Sequence, residues 1–260
     1  MRDLVGMWSN TRMVVLAAMS ASLYAAILIP FKVLPLIPGV TEFRPANAVP
    51  VVCSFLFGPA GAWGAAIGNV IGDFFGGIGP GSLFGFFGNF LYGFLPYKLW
   101  TALTDADPVP RSPRQWLAFT GIIAVSAGAC ALIIGWGLNL LGFVPFSVLA
   151  NIIFFNNFIV AAVLAPLLLA AVYPRVKRAR LRYEDILTDR SRPWPRPVRL
   201  LGVMLVVGAI ASGLVLGNLI STGGVALPVL GVAGPGTGAL HVGVGLLPVL
   251  LLLLLGIALL

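Results

Sequence analysis

The chain is short of almost everything from which catalytic and metal sites are made. It has one histidine, two cysteines and eight acidic side chains in 260 residues. A metal site needs several convergent ligands, and His241 has no histidine or cysteine cluster to join, so no metal is expected. Cys53 and Cys130 both stand inside apolar runs without CxxC spacing, which reads as small core residues rather than a disulfide frame. The same scarcity argues against an intramembrane serine hydrolase, the least favoured alternative, because Ser212 and Ser221 lack a flanking nucleophile motif and His241 would stand alone on a loop. No GxxxxGK[ST] loop occurs, and GPGTG at 234–238 lacks the Lys-Ser/Thr that grips phosphate, so the chain has no ATPase of its own and no cofactor is implied. PAN at 45–47 is not the paired signature of water channels, and neither an internal repeat nor charged rings are visible.

What the chain has instead is apolar length. Hydrophobic residues make up 59% and charged residues only 9%, against about 25% charged in soluble domains. The mean hydropathy is +1.03. A spanning helix needs about 20 mostly apolar residues, and several such runs follow one another between short polar joints. They are Met13 to Pro30, a long segment over 46–75, Ser82 to Leu103, Trp116 to Leu141, Val148 to Tyr173, Leu200 to Ile220 and Gly243 to Leu260. The first is read as a retained helix, since no small-x-small cleavage site follows it. The fold class is therefore an all-α integral membrane protein.

The net charge of +8 does not point to nucleic acid, because the basic residues gather at helix ends without interleaved stacking rings. Nine of the sixteen lie between Tyr173 and Leu200, as expected of a cytoplasmic loop that also meets membrane lipid head groups. Whether the 46–75 segment is one helix or two is not decided by charge. Broken at Gly58-Pro59, the chain has eight spans and only Lys32 and Arg44 external; unbroken, it has seven, with only Arg2 and Arg12 external. Either arrangement leaves loops 104–115 and 174–199 cytoplasmic.

The segment FRPANAVPVVCSFLFGPAGAWGAAIGNVIGDFF resembles the substrate-binding S components of energy-coupling factor (ECF) transporters: an arginine after an irregular loop, a short helix with internal proline, and LFGP followed by GAWGAAIGNVIGD. The resemblance implies a six-helix bundle over residues 1–175, a GP turn on the cytoplasmic side, and transport that depends on a transmembrane coupling subunit and two ATPase subunits. It also implies that the small residues Ala17, Ala21 and Ala25 of the first helix form the docking ladder for the coupling subunit. Residues 176–199 are then a basic cytoplasmic loop, and 200–260 an additional two-helix hairpin that the family does not require. Both termini are expected in the cytoplasm of a multi-pass cell-membrane protein.

With the break at Gly58-Pro59, the intramembrane polar residues fall in one leaflet: Glu42, Arg44 and Asn47 on the second helix, Asn69 and Asp73 on the third, Asn89 on the fourth, Asn139 on the fifth, and Asn151, Asn156 and Asn157 on the sixth. Polar groups in a bilayer are costly unless they face a partner or a cavity. The expected substrate-binding set is Glu42, Arg44, Asn47, Asn69, Asp73, Asn89, Asn139 and Asn156. Asn69 and Asp73, four apart, share a helix face. Most aromatics of the same leaflet (Phe84, Phe86, Phe87, Phe90, Tyr92, Trp136, Phe154, Phe155 and Phe158) are expected to face lipid or the core, with a minority left to stack on a ligand. Few charges, several amides and many rings suit a small, planar, roughly neutral solute of vitamin or nucleobase size. A self-contained secondary transporter is the alternative. It would need a mid-depth carboxylate, for which Asp73 is the sole candidate.

Overall fold

The computed structural model describes residues 2–33, 35–37, 41–42, 44–187, 194–225 and 239–260. The side chains of residues 32–43, Glu42 among them, the centre of the basic loop and the Gly-rich connector lie outside the described residues.

Helices account for nearly all of it: α1 Arg2–Gly6, α2 Thr11–Leu28, α3 Ala48–Phe57, α4 Pro59–Gly76, α5 Pro80–Leu103, α6 Pro113–Leu140, α7 Phe146–Arg178, α8 Tyr183–Ile186, α9 Arg196–Ser221, α10 Ala239–Gly245 and α11 Leu247–Ala258. A two-stranded antiparallel ribbon, β1 Pro35–Ile37 with β2 Thr41–Glu42, lies between α2 and α3. Among the described residues, five helical stretches are long and apolar enough to cross a membrane: Thr11–Phe31, Pro113–Leu140, Phe146–Ile186, Arg196–Ser221 and Leu240–Ala258. Large apolar side chains also stand outward around the bundle, among them Met19, Phe87, Ile159, Leu167 and Leu254. In water that surface would be a liability; in lipid it is solvated.

Helix ends sit where local chemistry puts them. Asn10 caps α2, its side chain accepting from the N–H groups of Arg12 and Met13 at 3.0 and 3.3 Å. Ser112 and Gln115 form a capping box on α6. Pro59, Pro80 and Pro113 occupy first turns, where a missing amide costs nothing.

The long apolar segment is divided. Gly58 adopts φ +53°, a left-handed conformation that favours glycine, and the chain reverses there. A Cβ on Gly61 would lie 2.5 Å from the backbone of Cys53, so α3 and α4 run back against each other in close contact. α4 packs equally closely on α2: a Cβ on Gly64 would meet Ser20 at 2.4 Å, and one on Gly68 the Ala21 carbonyl at 2.8 Å. Small residues on both sides permit this approach.

That contact falls on the residues of the expected docking ladder. Ala17, Ala21 and Ala25 are 2–3% exposed, spent inside the chain against α4 and its neighbours. The small residues that face outward on α2 are Ala18, Ser22 and Ala26, one position later.

Charge is divided between the two ends of the bundle. At the Gly58 end, Lys98 of α5 bonds Asp3 of α1 at 2.9 Å, Lys177 of α7 bonds Asp107 at 2.7 Å, and Arg182 bonds Glu184 and Asp185. Tyr183 of α8 lies over Gly58, and Arg199 of α9 donates to the Thr101 carbonyl. α11 returns to this end, with Gly202 against Leu259. The opposite end holds the cavity.

Candidate functional site

The cavity has a volume of about 410 Å³ and is lined by residues of α4, α5, α6 and α7 together with Arg44. Its polar wall carries Arg44, Asn69, Asp73, Ser82, Asn89, Asn156 and Asn157. The facing wall is apolar: Ile134 and Leu138 from α6, Phe143 from the following turn, Leu149 and Ile153 from α7. The glycine-rich turn over 77–81 forms its rim.

The polar groups form two layers, one in the cavity wall and one that continues beneath it. In the upper one, the Arg44 guanidinium donates to Asn69 Oδ1 at 3.2 Å, and Asn69 Nδ2 donates to Asp73 Oδ2 at 3.1 Å. Both polar atoms of the Asn69 amide are therefore engaged by charged groups, which fixes its orientation. Gly85 of α5 makes room for it, since a Cβ there would sit 2.8 Å from Asn69 Nδ2.

The lower layer is fully buried. The Tyr24 hydroxyl of α2 lies 3.1 Å from Asn47 Oδ1 and 3.1 Å from Asn89 Oδ1. Asn47 Nδ2 donates to Asn157 Oδ1. The Tyr92 hydroxyl lies 3.0 Å from the backbone carbonyl oxygens of both Asn47 and Asn157, which share its one proton. Such a network costs little only because its members satisfy one another. α2, α3, α5 and α7 meet at this point.

Of the eight expected site residues, Arg44, Asn69, Asp73, Asn89 and Asn156 line this cavity. Asn47 lies one layer beneath, and Glu42 is not described at side-chain level. Asn139 stands elsewhere in role: its Oδ1 accepts the Phe146 N–H at 2.8 Å, closing the α6–α7 turn. None of the aromatic residues named from the sequence lines the cavity. Phe84 packs on Trp136 at 5.9 Å, Phe154 stacks on Phe158 at 5.8 Å, and Phe87 and Phe155 face outward. The ring in the wall is Phe143, which sits in a turn where apolar periodicity gives no signal.

Sequence reasoning misses Ser82 and Cys130 as wall residues and Tyr24 as a network member. It places Asn157 in the polar leaflet but leaves it out of the expected binding set, although Asn156 and Asn157 both line the cavity. Cys130 is a buried wall residue, not merely packing. Among the described residues, no group of three or more His, Cys, Asp or Glu could hold a metal ion.

A family model described as QueT transporter matches residues 14–174. Neither a curated protein nor a solved structure matches the chain. The matched region runs from the start of α2 into the last turns of α7 and contains every wall residue of the cavity. α9 to α11 lie wholly beyond it.

Proposed function

The chain belongs to the QueT transporter family, a family of ECF-type S components, and from that premise we propose that it captures a queuosine-precursor base from outside the cell for uptake. The observation that carries this reading is the cavity. Its polar wall offers amides from three helices, each with a donor and an acceptor, and one side chain of either charge. Its other wall is apolar. A planar base, hydrogen-bonding at its edges and apolar on its faces, suits both, and a volume of about 410 Å³ lies in the range of small-molecule sites.

Orientation follows from charge. Arg12, Lys98, Lys177, Arg182 and Arg199 gather at the Gly58 end, which the positive-inside rule assigns to the cytoplasm, with both termini. The cavity then opens outward, in the cell membrane. Energy has to come from elsewhere, since the sequence contains no nucleotide-binding loop. The partner is a transmembrane coupling subunit with two ATPases, and its docking face is the outward small-residue stripe Ala18, Ser22 and Ala26 of α2, flanked by the exposed Val15, Met19 and Leu23.

The test is a titration of the full chain in lipid nanodiscs with queuine, the free base of queuosine, with adenine as the comparison. Saturable binding of queuine, at least tenfold tighter than adenine, is expected. No binding of queuine by the unsubstituted protein would overturn the assignment.

A further inference from the structure

The helix proposed to meet the coupling subunit is also the helix that supplies a buried hydroxyl to the cavity floor. Tyr24 is 0% exposed and lies outside the cavity wall, yet its hydroxyl is 3.1 Å from Asn89, a wall residue, and 3.1 Å from Asn47, which in turn bonds the wall residue Asn157. It is thus one bond removed from whatever occupies the cavity. Its ring is wedged on α4, where a Cβ at Gly68 would come within 3.0 Å of it, so a shift of the hydroxyl cannot be absorbed by the side chain alone. The outward Ser22 and Ala26 lie two residues to either side on the same helix.

We propose that Tyr24 is a positioning residue that ties occupancy of the cavity to the seating of α2. A base that hydrogen-bonds Asn89 or Asn157 competes for the carboxamide groups that also serve Tyr24 and Asn47. The Tyr24 hydroxyl has one proton to offer these two acceptors, so a change at either redistributes it. The response reaches α2 through this hydroxyl, because the backbone beside it is held tightly to α4 at Ala21 and at the Tyr24 ring, and moves with the side chain. The inference rests on the assignment of the cavity to a queuosine-precursor base.

The experiment is amide hydrogen exchange, read by mass spectrometry on the full chain in nanodiscs, with and without saturating queuine, for the unsubstituted protein and Tyr24→Phe. The phenyl ring keeps the packing on Gly68 and removes only the hydroxyl. In the unsubstituted protein, queuine is expected to slow exchange at least threefold both in the cavity rim, residues 76–82, and in α2. In Tyr24→Phe the rim should still respond while α2 no longer does. A merely structural role would speed exchange of α2 with and without queuine alike and leave its response intact. That result, or an α2 that never responds although the rim does, would overturn the proposal. A rim that fails to respond in the unsubstituted protein would instead sink the ligand assignment, and this inference with it.

Discussion

Asn69 and Asn139 are the same residue type at similar depth, and they differ in what the backbone around them needs. Asn69 lies in mid-helix, where its amide is available to bridge Arg44 and Asp73. Asn139 lies at a helix end, where the N–H of Phe146 at the start of the next helix claims its oxygen. Sequence places both in one leaflet and has no means of telling them apart, because the turn geometry after Leu140 is set by packing. Asn69→Ala should weaken queuine binding by about 1–3 kcal/mol, the cost of leaving charged partners short of a bond, with the protein still folded. Asn139→Ala should leave affinity unchanged and lower stability by about 1 kcal/mol. Calorimetric titration together with thermal unfolding separates the two. An Asn69→Ala protein that binds queuine normally would remove the upper layer from the site.

At the scale of elements, the small-residue ladder on α2 is legible in sequence as a ladder but not in phase. Ala17-Ala21-Ala25 and Ala18-Ser22-Ala26 both repeat every four residues, and only the position of α4 decides which is internal. Gly64 and Gly68 settle it, since they admit Ser20 and Ala21 at contact. Ala21→Leu should therefore misfold or strongly destabilise the chain, the usual result of overpacking at a backbone contact. Ser22→Leu should fold, bind queuine within about twofold of the parent, and lose co-purification with the coupling subunit. Equal behaviour of the two variants in both assays would refute the assigned register. The break at Gly58-Pro59 is written more openly, in a glycine followed by a proline, although charge counting alone does not choose it. The short α1 is held to the same end by Asp3, whose carboxyl burial would raise, but whose pKa the charge and hydrogen bond of Lys98 bring down to about 2, from 3.8. Its folded-state pKa lies below the unfolded one, so its stabilising effect is complete above pH 3.8 and disappears as the pH falls through about 2. Proteolysis at residues 2–9 should accelerate over that window, and Asp3→Asn should show the faster rate at every pH. A rate that stays flat from about pH 5 to 2 in the parent would deny Asp3 this role. Nothing in the sequence pairs Asp3 with Lys98, because the contact joins distant parts of the chain and depends on α5 reaching the same end of the bundle.

For the molecule as a whole, the hairpin beyond the matched region shares the core of the bundle without reaching the cavity. Among the described residues, no cavity wall residue comes from α9, α10 or α11. The hairpin nevertheless grips the bundle with polar pairs as well as packing: Asn151 Nδ2 donates to Asn218 Oδ1 at 2.7 Å, Ser221 Oγ lies 3.1 Å from Ser147 Oγ, and Trp136 donates to the Gly243 carbonyl at 3.0 Å. Gly217 admits the Phe146 ring and Gly213 admits Leu132. In sequence these glycines and the Asn151 amide are visible only as small and polar residues in apolar runs. Their pairing across 67 positions is not. Binding should thus survive loss of the hairpin, while stability should not. A chain ending at Leu187 exposes the faces of α6 and α7 at Gly128, Leu132 and Phe146 that Ile210, Gly213 and Gly217 cover in the intact protein, and takes from Asn151 and Trp136 the partners that α9 and α10 supply. Because the missing bonds lie in a medium with no water to replace them, each counts toward the loss. The truncated chain should unfold several degrees lower than the parent in the same nanodiscs, yet bind queuine within about threefold of it. Gly217→Leu in the full chain, which forces a side chain into Phe146, should reproduce the loss of stability with affinity unchanged. If that variant stayed folded and queuine affinity fell by tenfold or more, the hairpin would belong to the binding unit, and its separation from the cavity would be wrong.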